Sequence, residues 1–176
     1  EGLVPVDNDY ELDEIHQSII DAAVQSGIEF NPDYNGEQLD GVSKEQINVV
    51  GGERINTWKA YLKPVRERLE IITDAEVHSV ILESGTVVGV RYQKGGQVQE
   101  LRADEVVLSA GALGSPQILL RSGIGPAAEL QAVGVEPLHE LDQVGKNLHD
   151  HLLAPVIAET TTREIPAPRT GVSVSQ

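Results

Sequence analysis

The sequence contains no cysteine and no methionine, and among its 176 residues there is one tryptophan and one phenylalanine. Without cysteine there are no disulfides, no zinc–thiolate sites and no thiol catalysis. Aromatic residues make up only 3% of the chain, so its core has to be assembled from Val, Ile, Leu and Ala, within a hydrophobic fraction of 40%. No apolar run approaches the length of a membrane span, and no secretory signal opens the chain. Basic residues are also scarce: 13 against 28 acidic ones, for a net charge of −15. Phosphate backbones need a basic face, so no nucleic-acid partner is expected. The acidic surface has two readings, an ordinary acidic soluble protein or one adapted to a high-salt cytoplasm, where repulsion is screened. The chain starts at Glu1 without methionine and stops in the polar run after Thr170, which together predict a piece of a longer protein.

What is present centres on Glu105–Gly125 (EVVLSAGALGSPQILLRSGIG). Val106-Val107-Leu108 suits a buried parallel strand over 105–109. Ser109-Ala110-Gly111-Ala112 follow, and small residues at a strand end let a ligand approach the backbone closely. Ser115 is suited to cap a helix whose first position is Pro116, and Gly123 ends it. Strand, small-residue turn and helix form the usual edge of a nucleotide site in an α/β sheet.

Upstream, Leu12, Ile15, Ile19, Ala22 and Ala23 share a face of a helix expected over Glu11–Ser26, stopped by Gly27. The acids of Asp7–Glu14 read as a solvated face with favourable charge at that helix start. Residues 31–41 (NPDYNGEQLDG) form a turn-rich surface loop. A strand is expected at 46–50 leading into Gly51-Gly52, then a helix over Asn56–Arg66, capped by Asn56 or Thr57 and kinked or ended by Pro64. Arg54 is either a surface residue or one that holds a loop. Leu69–Thr73 reads as a strand. Val77–Leu82, Val87–Tyr92 and Val98–Leu101, separated by Ser84-Gly85 and Gly95-Gly96, predict an antiparallel three-stranded meander. Beyond Gly125 a short helix runs from Pro126 to Val133 and ends at Gly134. A short strand over Val135–Leu138, a loop over 142–153, a strand over 153–160 and a polar loop to Pro168 follow.

Three patterns are weighed against simpler readings. Gly123-Ile124-Gly125-Pro126-Ala127-Ala128 matches the dinucleotide fingerprint G-x-G-x-x-G/A, which should follow a strand and open a helix. It follows a helix instead, so it reads as helix punctuation; a nicotinamide-type domain built on it would require a strand at 116–122. His149-Asp150-His151 puts two imidazoles on one face of a strand, but no further ligands complete a metal site, so a hydrogen-bonding role is expected. Asp150 is equally suited to anchoring its loop. Ser109, Ser115 and Ser122 lack the G-x-S-x-G setting of a nucleophile.

The run Gly111-Ala112-Leu113-Gly114-Ser115-Pro116-Gln117-Ile118-Leu119-Leu120-Arg121-Ser122-Gly123-Ile124-Gly125 closely resembles the second signature of the glucose–methanol–choline (GMC) flavoprotein oxidoreductases. Val144–His151 is similar to their "VGxNLxDH" segment. Asn31–Gly36 and Arg54 with Ala60-Tyr61-Leu62 resemble upstream pieces in the same order, and the likeness is nearest to the choline dehydrogenase-like members. The resemblance implies an α/β fold: part of a doubly wound FAD-binding domain with an antiparallel β-meander, plus segments of an α+β substrate domain. It implies FAD as cofactor, a small-molecule alcohol as substrate, and hydride transfer from the alcohol to the flavin. The implied segments are 1–50 in the substrate domain, 51–151 in the FAD domain (meander about 77–102, signature 105–125), and 152–176 in the substrate domain again. Thr73–Val80 fits the "TxAxVxxI" strand whose valine contacts adenine, which points to Val77. Ser109, Ala110 and Gly111 match the turn near the ADP half. The N-terminal G-x-G-x-x-G and the C-terminal catalytic histidine segment have no counterpart here, so no catalytic residue is carried over. The remaining parts of the same enzyme are then its partners, and the isolated piece should neither hold FAD tightly nor turn over alcohols. A non-catalytic nucleotide-binding or interaction module of the same fold is the alternative.

Overall fold

A computed structural model describes residues 2–155 and 157. The described chain forms two compact units, one running to Glu70 and the other comprising Ile71–Pro155.

In the first unit, helix α1 spans Glu14–Gln25. Asp13 sets its start by accepting the His16 N–H at 3.0 Å, the standard N-cap interaction. Gly27, at φ +95°, ends it: the Gly27 N–H reaches the Val24 carbonyl and the Ile28 N–H the Ala23 carbonyl, a Schellman closure. Two short pairings order the segments on either side of it, Asp7 with Ile47 and Phe30 with Val42. Strands β1 (Val49–Val50) and β2 (Glu53–Arg54) then form a hairpin around Gly51-Gly52. The expected strand at 46–50 is thus shortened, and Arg54 lies exposed on its partner. The expected helix over Asn56–Arg66 is two irregular turns, a π-helical one at Trp58–Leu62 and a 3-10 helix at Lys63–Arg68. Pro64 has no N–H to continue an α-helical ladder, which accounts for the break. Asn56 does cap, accepting the Lys59 N–H at 3.0 Å.

The second unit is built on strands β3 (Glu76–Glu83), β4 (Thr86–Lys94) and β5 (Gln97–Arg102), antiparallel in that order. Both hairpins turn on two residues with positive φ, Ser84-Gly85 and Gly95-Gly96, the geometry that matches strand twist. Helix α2 (Gly111–Arg121) packs on β3. Val80, Ile118 and Ile124 form the buried cluster, flanked by Val77, Leu82, Val87, Val90, Val106, Leu108 and Leu119. Ser122 stitches the two elements together. Its hydroxyl accepts the Val80 N–H at 2.8 Å and donates to the Ile118 carbonyl at 2.6 Å. Strand β6 (Ile124–Gly125), helix α3 (Ala127–Ala132) and parallel strand β7 (His139–Glu140) complete the unit.

Several expectations are corrected. Neither 69–73 nor 105–109 is a strand. The second still alternates, with Val106 and Leu108 against the core and Val107 78% exposed. A strand needs a ladder partner, and no described residue supplies one; the exposure of Val107 also departs from a strand buried on both faces. Helix α2 starts at Gly111, four residues before Ser115, and encloses Pro116. Ser115 contributes by reaching back to accept the Ala110 N–H at 2.9 Å, as the acid of a capping box does. The strand expected at 135–138 lies at 139–140, because the Gly123 carbonyl accepts both the Leu138 and His139 N–H groups and fixes the register. The helix across 116–121 rejects the nicotinamide-type reading of Gly123–Ala128. Residues 142–153 are a loop as expected, but 153–155 are not in a strand, and the rest of the strand to 160 lies outside the described residues, as does the loop to Pro168.

Candidate cofactor site

The four residues singled out from sequence all belong to the unit Ile71–Pro155. Val77 lies on β3 opposite Tyr92, where the register shifts before Ser79 and leaves His78 as an extra residue. Bulges of this kind bend a strand and re-aim its side chains. The His78 Nε2 is buried and has no hydrogen-bond partner among the described residues, and such groups call for an explanation in a native protein. Sequence reasoning passed over His78; the only available signal is the broken alternation in Val77-His78-Ser79-Val80.

Ser109, Ala110 and Gly111 lie exposed at the entry to α2. Gly111 adopts φ +84°, and a Cβ placed on it meets nothing within 4 Å among the described residues. The backbone at this point is therefore open to close approach, and only glycine adopts that conformation without strain. A Cβ on Gly114 comes within 3.0 Å of the Ala110 Cβ. The small residues at 110 and 114 thus serve one another, which the sequence reading did not include. The Ala110 position makes no side-chain cap, so the first-turn N–H groups of α2 carry the partial positive charge of a helix start. Val77 and the run into the turn, through Val106 and Leu108, pack against the same buried cluster. At the same end of β3 as Val77, Asp74, Ala75, Glu76, Gln93, Gly95 and Gly96 line an open concavity of about 550 Å³. Glu76 there faces Arg121 across 3.9 Å.

The histidine motif is not on a strand: His149 and His151 sit exposed in the loop, where Asp150 accepts the His151 N–H at 2.8 Å. Lys146 ties the same loop to α3 through Glu129.

The meander, the signature helix and the loop of the "VGxNLxDH" type together define an oxidoreductase class. The sequence profile of the GMC oxidoreductases matches residues 1–153, and the chain belongs to that family. It is 41% identical over 148 residues to an oxygen-dependent choline dehydrogenase of Photobacterium profundum, covering 82% of this chain and 26% of that protein. It is 38% identical over 157 residues to an alcohol dehydrogenase (acceptor) of Pseudomonas putida, covering 86% and 28% respectively. Among solved structures, pyridoxine 4-oxidase from Mesorbium loti superposes with a TM-score of 0.76 at 33% identity, over 81% of this chain and 29% of that one. The chain thus spans about a quarter of the length of the curated relatives it matches. No helix among the described residues is long and apolar enough to cross a membrane.

Proposed function

We propose that this chain is the internal part of an FAD-dependent alcohol oxidoreductase of the choline dehydrogenase-like kind. The observation that carries the reading is the turn at Ser109-Ala110-Gly111. It combines a positive φ at Gly111, open space in front of its backbone and a helix start with no side-chain cap. Two features support the fit of a dinucleotide: that open turn, and the buried His78 Nε2 beside Val77, which has no hydrogen-bond partner among the described residues. When bound, FAD accepts the hydride that leaves the alcohol carbon. Val77 holds the adenine end through its backbone, and Ser109, Ala110 and Gly111 let the ADP half lie against the chain. Helix α2 orients this half by its partial positive charge. The chain supplies scaffold and cofactor contacts, and the groups that handle the alcohol proton lie outside it. Residues 71–151 of the second unit belong on this reading to the FAD domain, within the 51–151 segment, while 1–50 and 152–176 are substrate-domain segments. We expect a cytoplasmic enzyme, which cell fractionation checks.

The test uses the full-length protein. It should purify with flavin absorption bands that bleach when a primary alcohol such as choline is added without oxygen. Gly111→Val should purify with markedly less flavin, since the valine puts bulk at the open turn and strains the backbone. Normal flavin occupancy in that variant removes Gly111 from the site, and a colourless full-length wild type sinks the whole reading.

A further inference from the structure

The sequence contains a single Asn-Gly pair, Asn35-Gly36, in the exposed loop of the first unit. This pair is chemically reactive because glycine places no Cβ in the way of its own nitrogen. The Gly36 backbone nitrogen attacks the Asn35 Cγ and gives its proton to solvent. The Cγ–Nδ2 bond breaks and ammonia leaves. Water then opens the resulting five-membered imide at either carbonyl, giving an aspartyl or isoaspartyl linkage at position 35. The sum is one water consumed and one ammonia released, with no oxidant or cofactor.

Both reacting groups are tied down. The Gly36 N–H donates to the Asp33 carbonyl at 3.0 Å, which occupies the nucleophile. The Asn35 Nδ2 donates to Gln46 Oε1 at 2.5 Å, which holds the leaving amide away from it. Gln46 is itself fixed twice: its Nε2 donates to Asp33 Oδ1 at 2.9 Å, and its backbone N–H to the Tyr34 hydroxyl oxygen at 2.9 Å. Asp33 Oδ1 also accepts the Asn35 N–H at 3.2 Å. Attack requires the amide to swing off Gln46 and the Gly36 N–H to leave Asp33.

We propose that Asn35 is a site of spontaneous amide-to-carboxylate conversion gated by the Gln46 clasp. The conversion is irreversible, because the ammonia is lost to solvent. A carboxylate at position 35 has no N–H for Gln46 Oε1, and it places a second negative charge beside Asp33, so the clasp stays open once the reaction has occurred.

Peptide mass spectrometry with an isoaspartate assay, on the full chain aged at mildly alkaline pH, reads the conversion. Folded wild type should convert slowly, and wild type in urea many times faster. Gln46→Ala should convert roughly fivefold faster than folded wild type, the factor expected for one lost hydrogen bond, and Tyr34→Phe by a smaller factor. Melting curves by circular dichroism establish that each variant is folded; if Gln46→Ala is not, Tyr34→Phe carries the comparison. Equal rates in folded and urea-treated wild type overturn the proposal. So do folded variants that convert at the wild-type rate.

Discussion

In the unit ending at Glu70, Ile20 is the one buried hydrophobic side chain among the described residues, whereas Ile71–Pro155 buries Val80, Ile81, Tyr92, Ile118, Ile124 and Leu130. The first unit is organised by polar side chains that reach backbone groups far along the chain. Asn31 is its hub: its Nδ2 donates to the Gln38 and Asp40 carbonyls, and its Oδ1 accepts the Asp33 N–H. Lys44 donates to the Tyr10 carbonyl and lies 4.5 Å from the Tyr10 ring centre. Asn48 reaches Pro5. A buried aliphatic side chain contributes about 1.5–3 kcal/mol, while a hydrogen bond contributes about 1 kcal/mol net but costs more when one partner is left orphaned. The second unit should therefore be the more slowly exchanging one, and the first should fail locally wherever a hub is removed. A rigid apolar unit suits a turn that must present Gly111 at a fixed angle.

The largest effect should come from Gly89 in the apolar unit. A Cβ there would lie 2.2 Å from the Leu101 carbonyl, at φ +154°. Gly89→Val has to separate β4 from β5, at about 4 kcal/mol. Urea melts of the full chain should show it, with amide exchange rising through Thr86–Arg102. Retention of slow exchange across β4 and β5 would mean that the meander is not the stiff part of the molecule.

Next comes the polar unit's hub. Asn31→Ala leaves the Gln38 and Asp40 carbonyls and the Asp33 N–H without their partner, and Asn31 is buried. The expected loss is about 3 kcal/mol, confined to faster exchange in 29–46. Equal acceleration in the meander would dissolve the contrast between the units.

These particulars show what the sequence carried. Elements closed by their own turn chemistry were legible: Ser84-Gly85 and Gly95-Gly96 placed the meander, and Gly27, Gly123 and Gly134 placed three helix ends, because a positive φ is a local demand. Elements that depend on a distant partner were not. Val106-Val107-Leu108 has the composition of a strand, yet its ladder is missing among the described residues. The β7 register follows from the Gly123 carbonyl, which no pattern in 135–140 reveals. The start of α2 was misplaced because Ser115-Pro116 looks like a cap, while the hydroxyl reaches backward. In the candidate site, the small-residue turn was legible as composition, and its positive φ at Gly111 followed. The bulge at His78 was not, since it arises from pairing with β4.

Ser122 tests the apolar unit from its polar side. Ser122→Ala removes the acceptor of the Val80 N–H inside the core. The expected cost is about 2 kcal/mol, smaller than at Asn31 because one backbone group is orphaned instead of three. Global urea stability should fall while exchange in 29–46 is unchanged. A local loss in the first unit would contradict the division of labour.

The smallest effect separates the units by acid. The Asp13 carboxyl is held below its ordinary range, first by the His16 backbone N–H and then by the His16 side chain, against some desolvation. A carboxyl depressed in the folded state contributes stability above its unfolded pKa and loses it as pH falls through the folded value. The cap of α1 should therefore weaken below the ordinary carboxylate range, at pH values where the buried side chains Val80, Ile118 and Ile124 carry no titrating group themselves. Asp13→Asn still offers an oxygen to the His16 N–H, so it should keep the helix and flatten its acid dependence, whereas Asp13→Ala should fray the first turn at all pH values. Amide exchange across Glu14–Gln25, followed from neutral to acid pH in the three proteins, distinguishes them. An Asn variant that retained the full acid dependence would show that the titrating group lies elsewhere, and the polar unit would then depend on a carboxylate other than its helix cap.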